Sequence, residues 1–300
     1  MFKWLEYENT TIKRFKINKL LGTGSFSKVY KAYDNLKKRE IALKKINTIL
    51  ISNSENEINI LKNLRYKEKN YITKLYESFN YDDNLFIVYK LYDISLTDYI
   101  KHTDSSIDKT FKFIKQITQG LLYLQNNKII HRDLKPDNIL LKNSLHEEII
   151  IIDFGISTFN NAVNIIDTVI QTIYYRAPEV FLKSNYDFNI DIWSLGCIAY
   201  EIYYKKPLFN NKTPTELFIH QNIILDHPPL NMIKKFKHIH CFYDNIKNPT
   251  YIKYDNTIYV FKYYNFLKIH KQKRLINFVI KCCEWDPQKR LYAKEILSTL

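Results

Sequence analysis

Glycine is nearly missing from this chain. Its 300 residues include five, at Gly22, Gly24, Gly120, Gly155 and Gly196, alongside two methionines, four cysteines and eight prolines. So little glycine and proline excludes collagen-like and low-complexity linker proteins. Cys197, Cys241 and the neighbours Cys282 and Cys283 are too few and too irregularly spaced for a disulfide scaffold. The adjacent pair reads as small core residues in a reducing compartment, so an intracellular setting, cytoplasm or nucleus, is expected. No apolar run approaches the roughly eighteen residues of a membrane span. Lys3 and Glu6 interrupt the apolar start where a secretory leader would need continuity. No membrane partner is therefore expected.

What is abundant points to a packed enzyme-sized domain. Hydrophobic residues make up 46%, aromatics 15% and charged residues 25% of the chain, a balance that folds rather than stays disordered. The net charge of +14 is scattered, with its densest cluster at residues 268–274. It accompanies a chain-wide bias toward Lys, Asn, Ile and Tyr, and speaks to solubility rather than to a nucleic-acid partner, which is not expected.

Along the chain, residues 15–46 read as strands. Arg39 to Lys45 alternates polar and apolar residues, and Asp34-Asn35 marks a turn. Residues 53–64 switch to helical spacing, with Ile58, Leu61 and Ile60 as the apolar set. Two further strands are expected at residues 72–77 and 85–89, with Asp82-Asp83 as a hairpin turn between them. From Leu96 the pattern is mostly helical, with a stripe at Ile114, Ile117, Leu121, Leu122 and Leu124. Strands first and helices after imply an α+β fold in two lobes, divided near residues 92–95.

Four segments carry chemistry. Gly22-Thr23-Gly24-Ser25-Phe26-Ser27-Lys28-Val29 lies between two strands, where glycine lets backbone N–H groups approach phosphate. Lys44 closes Ile41-Ala42-Leu43-Lys44 one strand later. An apolar flank obliges its charge to find an anionic partner, for which Glu57 on the next helix is the candidate. Lys45 and Glu55 are the rivals for these roles. His131-Arg132-Asp133-Leu134-Lys135-Pro136-Asp137-Asn138 follows the helical stripe, and Asp153-Phe154-Gly155 follows the apolar run 149–152. Ala177-Pro178-Glu179 comes next in order.

Together, in this order and framed by strands and then helices, these segments resemble the eukaryotic-type protein kinases. The resemblance covers residues 15–300 and implies a bilobal fold, with a small β-rich N-lobe and a larger, mostly helical C-lobe. It implies an N-terminal extension at 1–14, an N-lobe at 15–91, a hinge at 90–95, and a C-lobe at 96–300 carrying an insert at about 226–270. It implies ATP and Mg2+ as cofactors, protein substrates, a monomer, and transfer of phosphate to serine or threonine. Asp133 would be the catalytic base, with Lys135 and Thr172 beside it, and Asn138 and Asp153 would hold the metal. The nucleotide would be bound by Leu21, residues 22–29, Ala42, Lys44, Glu57, Tyr89 as gatekeeper, Lys90, Tyr92, Leu140 and Asp153. A kinase-shaped scaffold with vestigial turnover is the alternative.

Lys135 and Thr172 are similar to the serine/threonine version of the catalytic loop. Tyr175-Arg176 ahead of Ala177, with Gln171-Thr172, looks like the CMGC group, nearest the dual-specificity tyrosine-regulated and SR-protein kinase branches. Val169 stands where the regulated branch has tyrosine, so control by that tyrosine is not expected. Thr168 is the expected phosphate acceptor, chosen over Ser157, Thr158, Tyr174 and Tyr175. His238, His240 and Cys241 lack a fourth ligand and read as polar insert residues.

Overall fold

Six strands form one sheet in the order β1-β2-β3-β4-β6-β5. They are β1 (Thr11–Ile12), β2 (Phe15–Thr23), β3 (Ser27–Asp34), β4 (Arg39–Asn47), β5 (Leu75–Tyr81) and β6 (Asn84–Lys90). The structure is a computed structural model that describes residues 9–24, 27–47, 51–64, 66–143, 145, 147–160, 170–226, 228–229, 232, 251–254, 257–260 and 270–300. All neighbouring strands of this sheet are antiparallel. Its turns use side chains in place of glycine. Asp34 Oδ1 accepts the N–H groups of Leu36 at 3.0 Å and Lys37 at 3.1 Å, an Asx turn. Asp82 and Asp83 take φ of 49° and 51°, the doubly left-handed form that suits the twist of a two-residue hairpin.

Alternation along the strands gives the sheet two different faces. Tyr30, Ala32, Ile41, Leu43, Phe86 and Val88 are buried together on one, with Ile12, Phe15 and Ile17 completing the cluster. On the other face cross-strand pairing sets Val29 beside Lys44 and Ala42 beside Tyr89. Helix α1 (Ile51–Asn63) packs against β4 and β5. It buries Glu57, Ile58, Ile60 and Leu61, and Leu64 just beyond its end is buried too.

The chain divides into two compact units, Met1–Ile94 with Leu140–Ile156, and Ser95–Ile139 with Ser157–Leu300. Two features depart from the boundaries expected from the sequence. Residues 9–14 are not an appendage: Ile12 is buried in the sheet's core, and Arg14 donates to Asp34 at 2.9 Å and to Glu77. Residues 140–156, expected in the C-lobe, cluster with the sheet. The cause is a parallel bridge between Ile72 and Ile151, with Thr73 N–H donating to Ile151 at 2.9 Å and Ile151 N–H to Tyr71 at 2.8 Å. The fifth strand also starts later than the expected residue 72, because Ile72 is taken by that bridge.

The second unit is helical. It contains α2 (Leu96–His102), α3 (Ile107–Asn126), α4 (Pro178–Phe181), α5 (Asn189–Tyr204), α6 (Pro214–Leu225), α7 (Lys273–Cys282) and α8 (Ala293–Thr299). Ser95 caps α2, and Thr213 with Glu216 forms a capping box on α6. Ile114, Ile117, Leu121 and Leu124 of α3 are buried as the stripe requires, while Leu122 is half-buried. Short strands β7 (Ile129–Ile130) and β10 (Thr158–Phe159) pair within this unit, as do β11 (Tyr251–Tyr254) and β12 (Thr257–Val260) in the expected insert. In the first unit β8 (Ile139–Asn143) pairs with β9 (Glu148–Ile151). The histidines and cysteine at 238–241 lie outside the described residues, as do Thr168 and Val169. Among the described residues no helix is long and apolar enough to cross a membrane.

Helix α5 is buried along almost its whole circumference, so its packing tolerates little. At Gly196 an added Cβ would lie 2.7 Å from Cys282 Cβ and 2.9 Å from Cys283 Sγ of the neighbouring helix segment. Gly196→Ala is expected to destabilise the chain by roughly 1–3 kcal/mol through this overpacking. A lowered midpoint in urea unfolding is the measurement, and an unchanged midpoint contradicts the packing described.

Candidate active site

In the sheet unit, Lys44 is the centre. Its Nζ lies 2.8 Å from Glu57 Oε2 and 3.0 Å from Asp153 Oδ1, and its side chain is 14% exposed. Burial opposes the ammonium, but the charges of Glu57 and Asp153 outweigh it and raise the Lys44 pKa well above its ordinary value. The lysine is therefore cationic at any working pH. Lys45, its rival, points to the other face, where burial and then the charge of Lys28 lower its pKa. Glu55, the rival acid, is exposed. The register of β4 decides the matter, since adjacent residues point to opposite faces.

Around Lys44 the first unit holds each nucleotide candidate that is described. Leu21, Gly22, Thr23 and Gly24 are exposed, and Ser27, Lys28, Val29, Ala42 and Leu140 are half-buried. Ser25 and Phe26 lie outside the described residues. Gly24 N–H donates to Ser27 carbonyl at 2.8 Å, so in this conformation it closes the turn. No described glycine has positive φ. At the hinge, Lys90 N–H is spent on Lys74 carbonyl at 3.0 Å, and the Tyr92 hydroxyl accepts Lys74 N–H at 3.1 Å. Burial lifts the Tyr92 hydroxyl to a pKa of about 12.

In the helical unit, Asp133 is the centre. Its Oδ1 accepts Thr172 Oγ1–H at 2.8 Å and Thr172 N–H at 3.1 Å. Its Oδ2 accepts Lys135 Nζ at 2.8 Å and Asn138 Nδ2 at 3.0 Å. Lys135 Nζ also donates to Thr172 Oγ1 at 2.9 Å. Asp133, Lys135, Asn138 and Thr172 thus form one closed network, in which the carboxylate cannot rotate without breaking several bonds.

Two further residues hold that network in place. Asp191 at the start of α5 is buried and accepts His131 N–H at 2.8 Å and Arg132 N–H at 3.0 Å. Burial raises its pKa against those donors and the nearby His131 and Arg132. Gln171, 4% exposed, is the second. Its Nε2 donates to Ile190 carbonyl and Ser194 Oγ, both at 3.0 Å, and its Oε1 accepts Ala177 N–H at 2.9 Å. Its N–H donates to Arg132 carbonyl at 3.0 Å, and its carbonyl accepts Arg176 Nη2 at 2.8 Å. A lone glutamine between Ile170 and Thr172 has no spacing that signals such partners, so only the structure reveals this role. Ser157, one of the weaker phosphate-acceptor candidates, is buried and donates to His131 carbonyl at 2.9 Å, so it is no surface acceptor. Glu179 and Arg290 form a buried two-bond pair at 2.5 and 2.7 Å, which anchors the Ala-Pro-Glu segment.

The sheet unit thus holds a paired lysine and the helical unit a braced aspartate. The family model described as "Protein kinase domain" matches residues 15–300, and the chain belongs to that family. It is similar to the "Probable serine/threonine-protein kinase dyrk2" of Dictyostelium discoideum, 34% identical over 297 residues, covering 95% of this chain and 32% of that protein. It is 32% identical to the "Serine/threonine-protein kinase ppk5" of Schizosaccharomyces pombe, covering 95% of this chain and 35% of that one. With the human "Dual specificity tyrosine-phosphorylation-regulated kinase 3" it shares 30%, over 95% of this chain and 53% of the relative. The chain thus spans from a third to about half the length of these relatives, and the CMGC likeness read from Gln171 to Glu179 agrees with them.

Truncating Gln171 to alanine strands the buried Ala177 N–H, at about 1–3 kcal/mol, and removes the bonds to Ile190 and Ser194, where Ser194 Oγ still donates to the Ile190 and Tyr175 carbonyls. Gln171→Ala is expected to unfold at clearly lower urea concentration than the parent chain. An unfolding midpoint equal to the parent's contradicts the hub role.

Proposed function

We propose that this chain transfers the terminal phosphate of ATP to serine or threonine hydroxyls of protein substrates. The observation that carries the reading is the closed network in which Lys135 and Thr172 both hold Asp133. In it the carboxylate is fixed to orient a substrate hydroxyl and accept its proton, and the Lys135 ammonium lies alongside to offset charge on the transferring group. Lys44, kept charged by Glu57 and Asp153, is suited to hold nucleotide phosphates. Backbone groups of Tyr92 and the apolar surfaces of Val29, Ala42 and Leu140 suit an adenine base, whereas the Lys90 N–H is already bonded to Lys74.

Mg2+ is the expected metal, and the donors present fit it. Asn138 spends its amide nitrogen on Asp133 carbonyl at 2.8 Å and Oδ2 at 3.0 Å, which leaves its carbonyl oxygen as the ligand end. Asp153 keeps a carboxylate side chain that is 43% exposed, and hard cations take oxygen donors of both kinds. A bound magnesium ion would neutralise phosphate charge. An intracellular setting accords with the free thiols of Cys197, Cys282 and Cys283. The scaffold alternative gains nothing from these residues, because Lys44, Asp133, Asn138 and Asp153 are all of the types that turnover needs, although Ser27 stands where the loop pattern has its third glycine.

Lys44→Met and Asp153→Asn are each expected to lower phosphate transfer from radiolabelled ATP by about a hundredfold or more, with folding retained. Near-parental turnover in either purified variant refutes the assignment. Phosphoamino-acid analysis of casein treated with the parent chain is expected to yield phosphoserine and phosphothreonine, and dominant phosphotyrosine refutes the specificity.

A further inference from the structure

Glu57 has two carboxylate oxygens, and two different strands use them. Oε2 accepts Lys44 of β4 at 2.8 Å, and Oε1 accepts the Tyr89 hydroxyl of β6 at 2.7 Å. Glu57 is 2% exposed and Tyr89 9% exposed, so both bonds are shielded from water and neither is the interchangeable surface kind. Tyr89 reaches Glu57 because the register of the sheet places it beside Ala42, on the face that also carries Lys44.

The two tethers differ in stiffness. A lysine stem has four rotatable bonds, so a lysine–glutamate pair alone lets a helix roll while the charges stay in contact. A tyrosine ring has two torsions, and here the ring is clamped in the sheet. Its hydroxyl pKa stands well above the ordinary value, through burial first and then through the charge and hydrogen bond of Glu57. The group therefore remains a protonated donor over any working pH. An aliphatic residue or phenylalanine at this position offers no donor, and Glu57 would be left with one buried bond fewer.

We propose that Tyr89 is a positioning residue, whose hydroxyl fixes α1 in the orientation that pairs Glu57 with Lys44. The sheet unit then supplies from its own residues a constraint that would otherwise fall to a partner or a modification packed on α1. The kinetic part of this inference rests on the phosphoryl transfer proposed above, and the structural part does not.

Tyr89→Phe keeps the ring and removes one oxygen, and it is compared with the parent by two readouts. Amide hydrogen exchange in residues 55–63 of ligand-free protein is expected to rise about tenfold, while exchange in α5 stays at the parental rate. The kcat for phosphate transfer to casein is expected to fall about tenfold with KM for casein unchanged, and adding Tyr89→Phe to Glu57→Gln is expected to cause no further fall. Tyr89→Met, which removes the same donor and leaves the Glu57–Lys44 pair intact, is expected to raise exchange in α1 in the same way, and it serves if Tyr89→Phe does not fold. Parental exchange rates in α1 overturn the proposal, whether or not the chain transfers phosphate. A loosened α1 with unchanged kcat overturns the positioning role. A loosened α1 in a chain whose parent transfers no phosphate upholds the tether and refutes the proposed function instead.

Discussion

A lysine charge removed from water must be matched by an anion, and much of the sheet unit can be understood as the means of matching Lys44. Breaking a buried pair by deleting one partner typically costs several kcal/mol, because a stranded charge remains. Satisfying Lys44 draws on three separate stretches of chain: β4 for the lysine itself, α1 for Glu57, and the segment after β9 for Asp153. That last segment reaches the unit through the bridge of Ile72 to Ile151, far from β4 in sequence. The bridge thus brings into the unit the second acid that Lys44 uses, beside the one that α1 buries.

The helical unit meets a comparable constraint with backbone rather than charge. Arg132 and Gln171 hold φ of 69° and 59°, and in the other unit Asp153 holds 63°. Left-handed conformations are costly for such residues and persist where the surroundings over-determine them. At Arg132 the over-determination is visible: its N–H is held by Asp191 and its carbonyl by Gln171. Gln171 is in turn fixed by the side-chain bonds to Ala177, Ile190 and Ser194. The residues flanking the Asp133 carboxylate are strained, and a buried polar network on α5 stabilises the strain. Glycine, so scarce here, is reserved instead for Gly196, where two helical segments meet too closely for a side chain.

The sequence made the order of the elements legible because local patterns generate them. Alternation marked β4, the 3.6-residue stripe marked α3, and Asp34 and Asp82-Asp83 marked turns that the structure contains. The motifs around Lys44, Asp133 and Asp153 were legible for another reason. Their chemistry restricts the residue types that can stand there, so the types alone carry information. The inclusion of Ile12 and Arg14 in the sheet was not legible, since a short two-residue strand shows no period.

By itself, then, the sequence determined the family, the succession of strands and helices, and the candidate residues of the site, all of which depend on neighbours in the chain. It left Lys44 and Lys45 as rivals, and Glu57 and Glu55 likewise. Only the tertiary structure separated them, because which face a strand residue occupies is set by its register against other strands. The same holds for Gln171 and the Tyr89 hydroxyl. Their roles depend on partners many positions distant, such as Glu57 for Tyr89, and a hydrogen bond between distant residues has no trace in the spacing of either one.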